Sequence, residues 1–257
     1  MTKTIKTLQW NIGGGKVRQA DGDVSVLASY NTDGLDSIIA LIKEVNPDII
    51  TLQEIHSNDQ QNQVEVIANA VGLPYYISDF YADSHIEEGQ RLGQGIISRY
   101  PISDHQYAQF QNPHYEVIWE DGSTAISHDK GVTACNVDTG DGELVVKTLH
   151  LIPFRRFDID PESDKAADVL SDVQTKVAGD AVRLLIQGDF NLDYSTLRAV
   201  LPTILTDDVQ EVTQDAPTTP KGRKLDHVIF RGIQLEGSSV RDTVLTDHYP
   251  VITTFKI

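Results

Sequence analysis

The chain has 257 residues, is 40% hydrophobic and 23% charged, and carries a formal net charge of −17. That usage excludes a disordered chain, and no apolar run approaches the ~20 residues that cross a bilayer. With 21 Lys+Arg against 38 Asp+Glu, it also argues against a tight non-specific nucleic-acid binder, whose affinity comes mainly from cations on phosphates.

From the N-terminus, Thr4–Asn11 alternates, with Ile5, Leu8 and Trp10 apolar, and reads as a strand. After a long loop at 13–31, Leu35, Ile38, Ile39, Ile42 and Val45 follow helix spacing, with Asp33 as the expected N-cap. Further strands are expected at 49–53, 95–98, 132–137, 144–149, 183–187, 225–230 and 251–255, and further helices over Gln63–Val71 and 166–177. A second long loop is expected at 213–224. Residues 95–150 are rich in strands and hairpin turns, whereas the flanks mix helices with strands. Two sheets with helices outside, in one domain over 1–257, are the expected organisation. Cys135 is the only cysteine, so no intrachain disulfide forms, and it reads as a small buried hydrophobe. The N-terminus lacks the apolar segment of a signal peptide, which suggests a cytoplasmic protein.

Polar residues stand repeatedly at the ends of apolar strands, where sites are commonly built. Asn11, Glu54, His150, Asp189 and Asn191 each follow such a run, Asp226 and His227 open one, and Asp247 and His248 precede another. One such residue is most simply a turn former. Six placements, all of metal-binding or proton-handling type, point instead to a site. Carboxylate and amide oxygens suit a hard cation such as Mg²⁺, and zinc spacings are absent. If Gly188-Asp189-Phe190-Asn191 is extended, Asp189 and Asn191 face one way and Phe190 turns into the core.

In chain order Trp10-Asn11, Leu52-Gln53-Glu54, Gly95-Ile96-Ile97-Ser98-Arg99-Tyr100-Pro101-Ile102, Thr148-Leu149-His150-Leu151, Gly188-Asp189-Phe190-Asn191, Leu225-Asp226-His227 and Thr246-Asp247-His248-Tyr249-Pro250 together resemble the endonuclease/exonuclease/phosphatase superfamily. The resemblance implies a four-layer α/β sandwich, two mixed β-sheets packed face to face with helices outside and the active site at one edge. It implies a phosphoesterase using Mg²⁺ or Mn²⁺, with Glu54 as principal metal ligand and Asn11 and Asp247 assisting. Asp189 and Asn191 would position the attacking water and phosphate oxygens. His150 would contact phosphate, His248 would act as general base or transition-state donor, and Asp226 would hold its far ring nitrogen. Whether Asp189 or His248 takes the water's proton is left open.

The expected partner is a phosphorylated substrate, nucleic acid slightly ahead of a phospholipid or small metabolite, acted on by a monomer with no membrane span. A catalytically silent binding module is the rival, disfavoured because every expected site residue is present. Gly13 replaces the second acid of abasic-site endonucleases, and Ile55-His56 replaces the arginine-bearing turn of pancreatic deoxyribonuclease, so the subfamily stays open. Gly13-Gly14-Gly15-Lys16 lacks P-loop spacing and reads as a flexible loop. His56 is expected at the surface rather than bordering the site, and Trp119 and Tyr115 in core or rim packing rather than stacked on a base or lipid. Arg155 and Arg156 are equally compatible with an anion clamp and a solvated loop.

Overall fold

The structure, a computed structural model, describes residues 3–119 and 122–257. In chain order its strands are β1 (Thr4–Asn11), β2 (Lys16–Arg18), β3 (Tyr30–Asp33), β4 (Ile49–Ser57), β5 (Tyr75–Asp83), β6 (Arg91–Ser98), β7 (Ile102–Gln109), β8 (Glu116–Ile118), β9 (Thr124–Ile126), β10 (Gly131–Asp138), β11 (Glu143–His150), β12 (Leu184–Asp189), β13 (Gln210–Glu211), β14 (Asp226–Arg231), β15 (Gln234–Val240) and β16 (Val251–Lys256). The α-helices are α1 (Leu35–Val45), α2 (Gln63–Val71), α3 (Asp164–Val177) and α4 (Tyr194–Val200). Two six-stranded sheets have the orders β15-β16-β1-β4-β6-β5 and β13-β14-β12-β11-β10-β7. Each is mixed, with one parallel pair, β1 beside β4 and β11 beside β12.

Alternation along the strands builds the layers. Leu8 and Trp10 of β1 and Ile50 and Leu52 of β4 pack against Ile38, Ile42 and Ile67 of α1 and α2. Leu149, Ile186 and Ile229 of the second sheet pack against Val169 and Val173 of α3 and Leu197 of α4. Between the sheets lie Ile5, Ile49, Ile96, Cys135, Val146, Leu185, Val228 and Phe255. Helices, sheet, sheet and helices therefore form the expected four-layer α/β sandwich. Among the described residues, no helix is long and apolar enough to cross a membrane.

The inter-sheet layer is apolar at one end only. Towards the other end the facing side chains become Gln9, Gln53, Gln94, Thr148 and Gln187, all buried. They bridge the sheets, Gln53 Nε2 donating to Thr148 Oγ1 at 2.8 Å and Gln187 Nε2 to Thr7 Oγ1 at 3.0 Å. The glutamine Nε2 atoms all donate, whereas the Oε1 atoms of Gln9, Gln53, Gln94 and Gln187 have no partner among the described residues, and the donated bonds tie the two sheets together beneath the cluster described below.

Local differences from the sequence reading have simple causes. Asp33 ends β3 and pairs with Lys16, and Gly34 is the N-cap of α1. The 13–31 segment contains β2, β3 and a 3-10 turn over Gly13–Gly15, whose glycines have φ of 51°, 66° and 78°. The Gln63 amide donates to the Gly14 carbonyl, and a Cβ on Gly14 would fall 2.3 Å from the His56 ring. The turn is thus closely packed rather than the loose loop expected.

Gly188 also allows a close approach, because a Cβ there would lie 2.2 Å from the Leu149 carbonyl oxygen of the parallel neighbour. The three nearest atoms all belong to the Leu149 backbone, which cannot give way as a flexible side chain would. Gly188→Ala is expected to cost about 1–3 kcal/mol of stability, read as a lower denaturant midpoint; an unchanged midpoint would contradict that packing.

Candidate active site

The two parallel pairs end side by side at one edge. Asn11, the last residue of β1, is in register with Gln53, and His150, the last of β11, with Asp189, the last of β12. Asp226 opens antiparallel β14 opposite Asp189. Val251 at the start of β16 pairs with Gln9, which brings the preceding Asp247-His248 to the same edge. The indole N–H of Trp10 then clamps that segment by donating to Thr246 Oγ1 and to the His248 carbonyl, each at 3.0 Å.

Asp189 is the hub. Its Oδ2 accepts from Asn11 Nδ2 at 3.1 Å and lies 3.4 Å from His150 Nε2 and 3.6 Å from His248 Nε2. Its Oδ1 accepts the Asn191 backbone N–H at 2.9 Å. Burial, against the opposing pull of His248, raises the Asp189 pKa to about 6. Asp226 holds the other nitrogen of His248, with Nδ1 2.8 Å from Oδ2, while Gln9 Nε2 donates to Asp226 Oδ1 at 2.6 Å. Burial alone would lower the His248 pKa, but the carboxylates of Asp226 and Asp189 override it and hold the group well above an ordinary histidine. The ring is therefore an imidazolium at neutral pH, flanked by two carboxylates.

Glu54 enters through a β-bulge. Register slips between Gln53 and Ile55, leaving Glu54 as the extra residue with φ of 51°. A non-glycine residue there stores roughly 1–3 kcal/mol of strain, a cost that bulges next to active sites commonly carry. Burial opposes its charge, but the surrounding His150, Lys130, His85 and His248 side chains hold its pKa down at about 2. Its Oε1 lies 3.8 Å from His150 Nε2, and no donor among the described residues hydrogen-bonds its carboxylate. Asp247 is close by, its Oδ1 lying 3.6 Å from where a Cβ on Gly13 would sit, and burial followed by the charge of Glu54 raises its pKa.

A divalent cation fits these donors. Glu54 is ionised and lacks a donor, and Asp247 and the Asn11 amide add hard oxygens of the kind Mg²⁺ and Mn²⁺ take. Among the described residues no three acidic, histidine or cysteine side chains enclose a site by themselves.

Sequence reasoning missed Lys130. It is 4% exposed, and its Nζ lies 2.9 Å from both ring nitrogens of His150. Burial lowers its pKa to about 8, and burial and Lys130 together push that of His150 well below an ordinary histidine. A cation beside a neutral imidazole is well placed to meet a phosphate oxygen. One signal was available: β10 pairs antiparallel with β11, with Val132 opposite Leu149, so the residue before β10 lies beside the end of β11. Gln9, which steadies Asp226, was missed as well.

Three expectations need correcting. Asn191 is not in extended chain: its φ is 51° and its amide donates to the Leu151 carbonyl. It steadies Asp189 through its backbone N–H, and Phe190 is buried as expected. His56 is buried, not at the surface, with Nε2 2.7 Å from Ser84 Oγ. His227, next to Asp226, turns to the opposite face, between Glu211 and the Leu192 carbonyl. Tyr115 packs against Phe154 and Phe157 as expected.

No curated protein matches the chain. Similar solved structures include an endonuclease/exonuclease/phosphatase from Beutenbergia cavernae DSM 12333, at 19% identity and a TM-score of 0.75, covering 99% of this chain and 72% of that one. D. rerio TDP2 complexed with a single-strand DNA product has 14% identity and a TM-score of 0.64, covering 99% of each chain. ANGEL2, described as a 2',3'-cyclic phosphatase, has 12% identity and a TM-score of 0.63, covering 99% of this chain and 95% of that one. At such identities the likeness is one of fold. The sequence profile of the Endonuclease/Exonuclease/phosphatase family matches residues 8–248, a span containing every site residue above. With the sandwich fold and that match across nearly its whole length, the chain belongs to the endonuclease/exonuclease/phosphatase family.

Proposed function

We propose that this protein is a divalent-metal-dependent phosphoesterase. The observation that carries the reading is the convergence on the Asp189 carboxylate of Asn11, His150 and His248, the last braced by Asp226. Phosphate esters repel nucleophiles by their charge, so hydrolysis needs a proton acceptor for water and cations or donors for the phosphoryl oxygens.

Asp189, with its pKa raised to about 6, is matched to accept the proton of an attacking water near neutral pH. His248, an imidazolium between carboxylates, acts as donor to a phosphoryl or leaving oxygen. Lys130 and neutral His150 supply charge and a further hydrogen bond on the other side of Asp189. Glu54, Asn11 and Asp247 would hold the cation, which when bound supplies Lewis-acid neutralisation of the phosphate.

The substrate reading is a phosphodiester or phosphomonoester, with a nucleotide-type ester ahead of a phospholipid or small phosphorylated metabolite. The fold likeness to TDP2 with a DNA product supports that order, and the acidic surface limits it to weak, site-centred binding. The test is hydrolysis of DNA, RNA, nucleotides, phosphoinositides, sphingomyelin and a chromogenic phosphodiester with and without divalent metal. Turnover is expected to vanish on chelation and return with Mg²⁺ or Mn²⁺. Full activity after exhaustive chelation would overturn the metal assignment.

A further inference from the structure

Basic side chains are scarce in this chain, and many at its surface are matched with acids, as Arg99 is with Asp48, Arg223 with Asp193, Arg231 with Asp208 and Arg241 with Glu44. Arg156 differs. It lies on the 3-10 turn Phe154–Phe157 that follows the His150 strand, where buried Phe154 and Phe157 anchor the backbone and leave the guanidinium outside. Among the described residues it has neither an ion-pair nor a hydrogen-bond partner, and it sits over the half-exposed Trp119 ring, 5.9 Å from the centroid.

Two histidines lie within electrostatic reach of it. His85, from the connection between β5 and β6, stacks on His128, from the segment leading into β10, with ring centroids 4.6 Å apart and planes 16° from parallel. His128 is two residues from Lys130, which contacts His150. Burial is the main effect lowering both pKa values, that of His128 to about 4, and the Lys130 and Arg156 cations act in the same direction. The His128 ring is then neutral and carries one N–H, and no hydrogen-bond partner for either ring exists among the described residues. Both rings interact electrostatically with Glu54 and with Arg156.

We propose that His85, His128 and Arg156 form a second anion subsite, with Trp119 as a stacking face, that takes a second phosphate of the substrate beside the one met by Lys130 and His150. The substrate class is therefore a molecule bearing two phosphates. A nucleotide chain supplies both phosphates and a ring for Trp119, since base–aromatic stacking is indifferent to sequence. Arginine is suited to phosphate because its fork can donate two parallel hydrogen bonds. The bland alternative is that the stacked imidazoles only pack the 84–90 loop against the segment before β10. The proposal rests on the phosphoesterase reading for the identity of the first phosphate position.

Isothermal calorimetry at fixed free magnesium tests it with thymidine 5'-monophosphate, thymidine 3',5'-bisphosphate and propane-1,3-diyl bisphosphate. Both bisphosphates are expected to bind roughly 10- to 100-fold more tightly than the monophosphate, the range of one hydrogen bond to a charged group. His128→Ala with Arg156→Ala should abolish that advantage while monophosphate affinity and melting temperature stay unchanged, and Arg156→Lys should retain part of it. Trp119→Ala should weaken only the thymidine compounds, which distinguishes a nucleotide from a bare bisphosphate. The subsite is overturned if wild type shows no bisphosphate advantage, or if the advantage survives the double substitution. Loss of the stack with a lowered melting temperature and an intact advantage would establish the packing role instead. Hydrolysis of the p-nitrophenyl ester of thymidine 5'-phosphate, measured in parallel, separates the two readings: a bisphosphate advantage without any turnover sinks the phosphoesterase and leaves the subsite standing.

Discussion

His248→Ala is expected to lower kcat by about 10²–10⁴-fold, the usual contribution of a positioned acid–base group, with the fold intact. The fold should survive because Trp10 clamps this segment through the His248 carbonyl and Thr246 Oγ1, neither of which the substitution removes. Asp226→Asn should cost less. Asp226 accepts from Gln9 on one oxygen and faces His248 Nδ1 with the other, so an amide satisfies one neighbour and opposes the other. The imidazolium then loses a carboxylate and its pKa falls. Because the two residues act as a unit, the double variant should be far less impaired than the product of the single effects. Single-turnover rates beside circular-dichroism melting decide the matter. A well-folded His248→Ala protein with near-normal turnover would end the assignment, and parallel loss of stability and rate would show that the pair only ties down the last strand.

The second large effect is expected at Lys130. Lys130→Met keeps the stem and removes the charge facing His150, and kcat should fall by about 10²–10³-fold, as on loss of one preorganised donor to a developing oxyanion. Its pH dependence is diagnostic. In wild type, kcat/KM should rise as pH passes the Asp189 pKa of about 6, where the acceptor becomes ionised. It should fall as pH passes the Lys130 pKa of about 8, where the cation is lost. The methionine variant should keep the acid limb and lose the alkaline limb at that position, and Lys130→Arg should recover part of the rate. An unchanged alkaline limb in Lys130→Met would exclude Lys130 as its source. Removing the cation also lifts one of the effects that depress His150, so an imidazole that titrates nearer the ordinary range by NMR is a second, activity-independent readout.

Within the two large sheets, the strands hidden from the sequence share a position. β5 and β15 edge the first sheet, and β7 and β13 edge the second. A central strand buries both faces and reads as an apolar run, as Leu184–Asp189 and Asp226–Arg231 do. An edge strand such as β7, with Asp104, His105 and Gln106 exposed, is kept polar and has no such pattern. The core strands and their order along the chain were therefore legible, while the borders of the sheets were not.

The same division runs through the site. Asn11, Glu54, His150, Asp189, Asp226, Asp247 and His248 all stand at the ends of apolar runs, so local sequence was enough to nominate them. Only the tertiary structure decided what each one meets. The pairing of β1 with β4 and of β11 with β12 brings four strand ends to one edge. A bulge turns Glu54 away from the helix layer that its alternation would otherwise give it. Asp226 and His227 are adjacent and chemically similar in promise, but strand alternation sends one to His248 and the other to Glu211. Gln9 is one polar residue within an alternating strand and Lys130, His85 and His128 lie in polar stretches, so their contacts exist only because segments distant in sequence are folded against them. Identity at a strand end is a local property that the residues carry themselves, whereas burial, partners and pKa are properties of the surroundings, which the chain acquires only on folding.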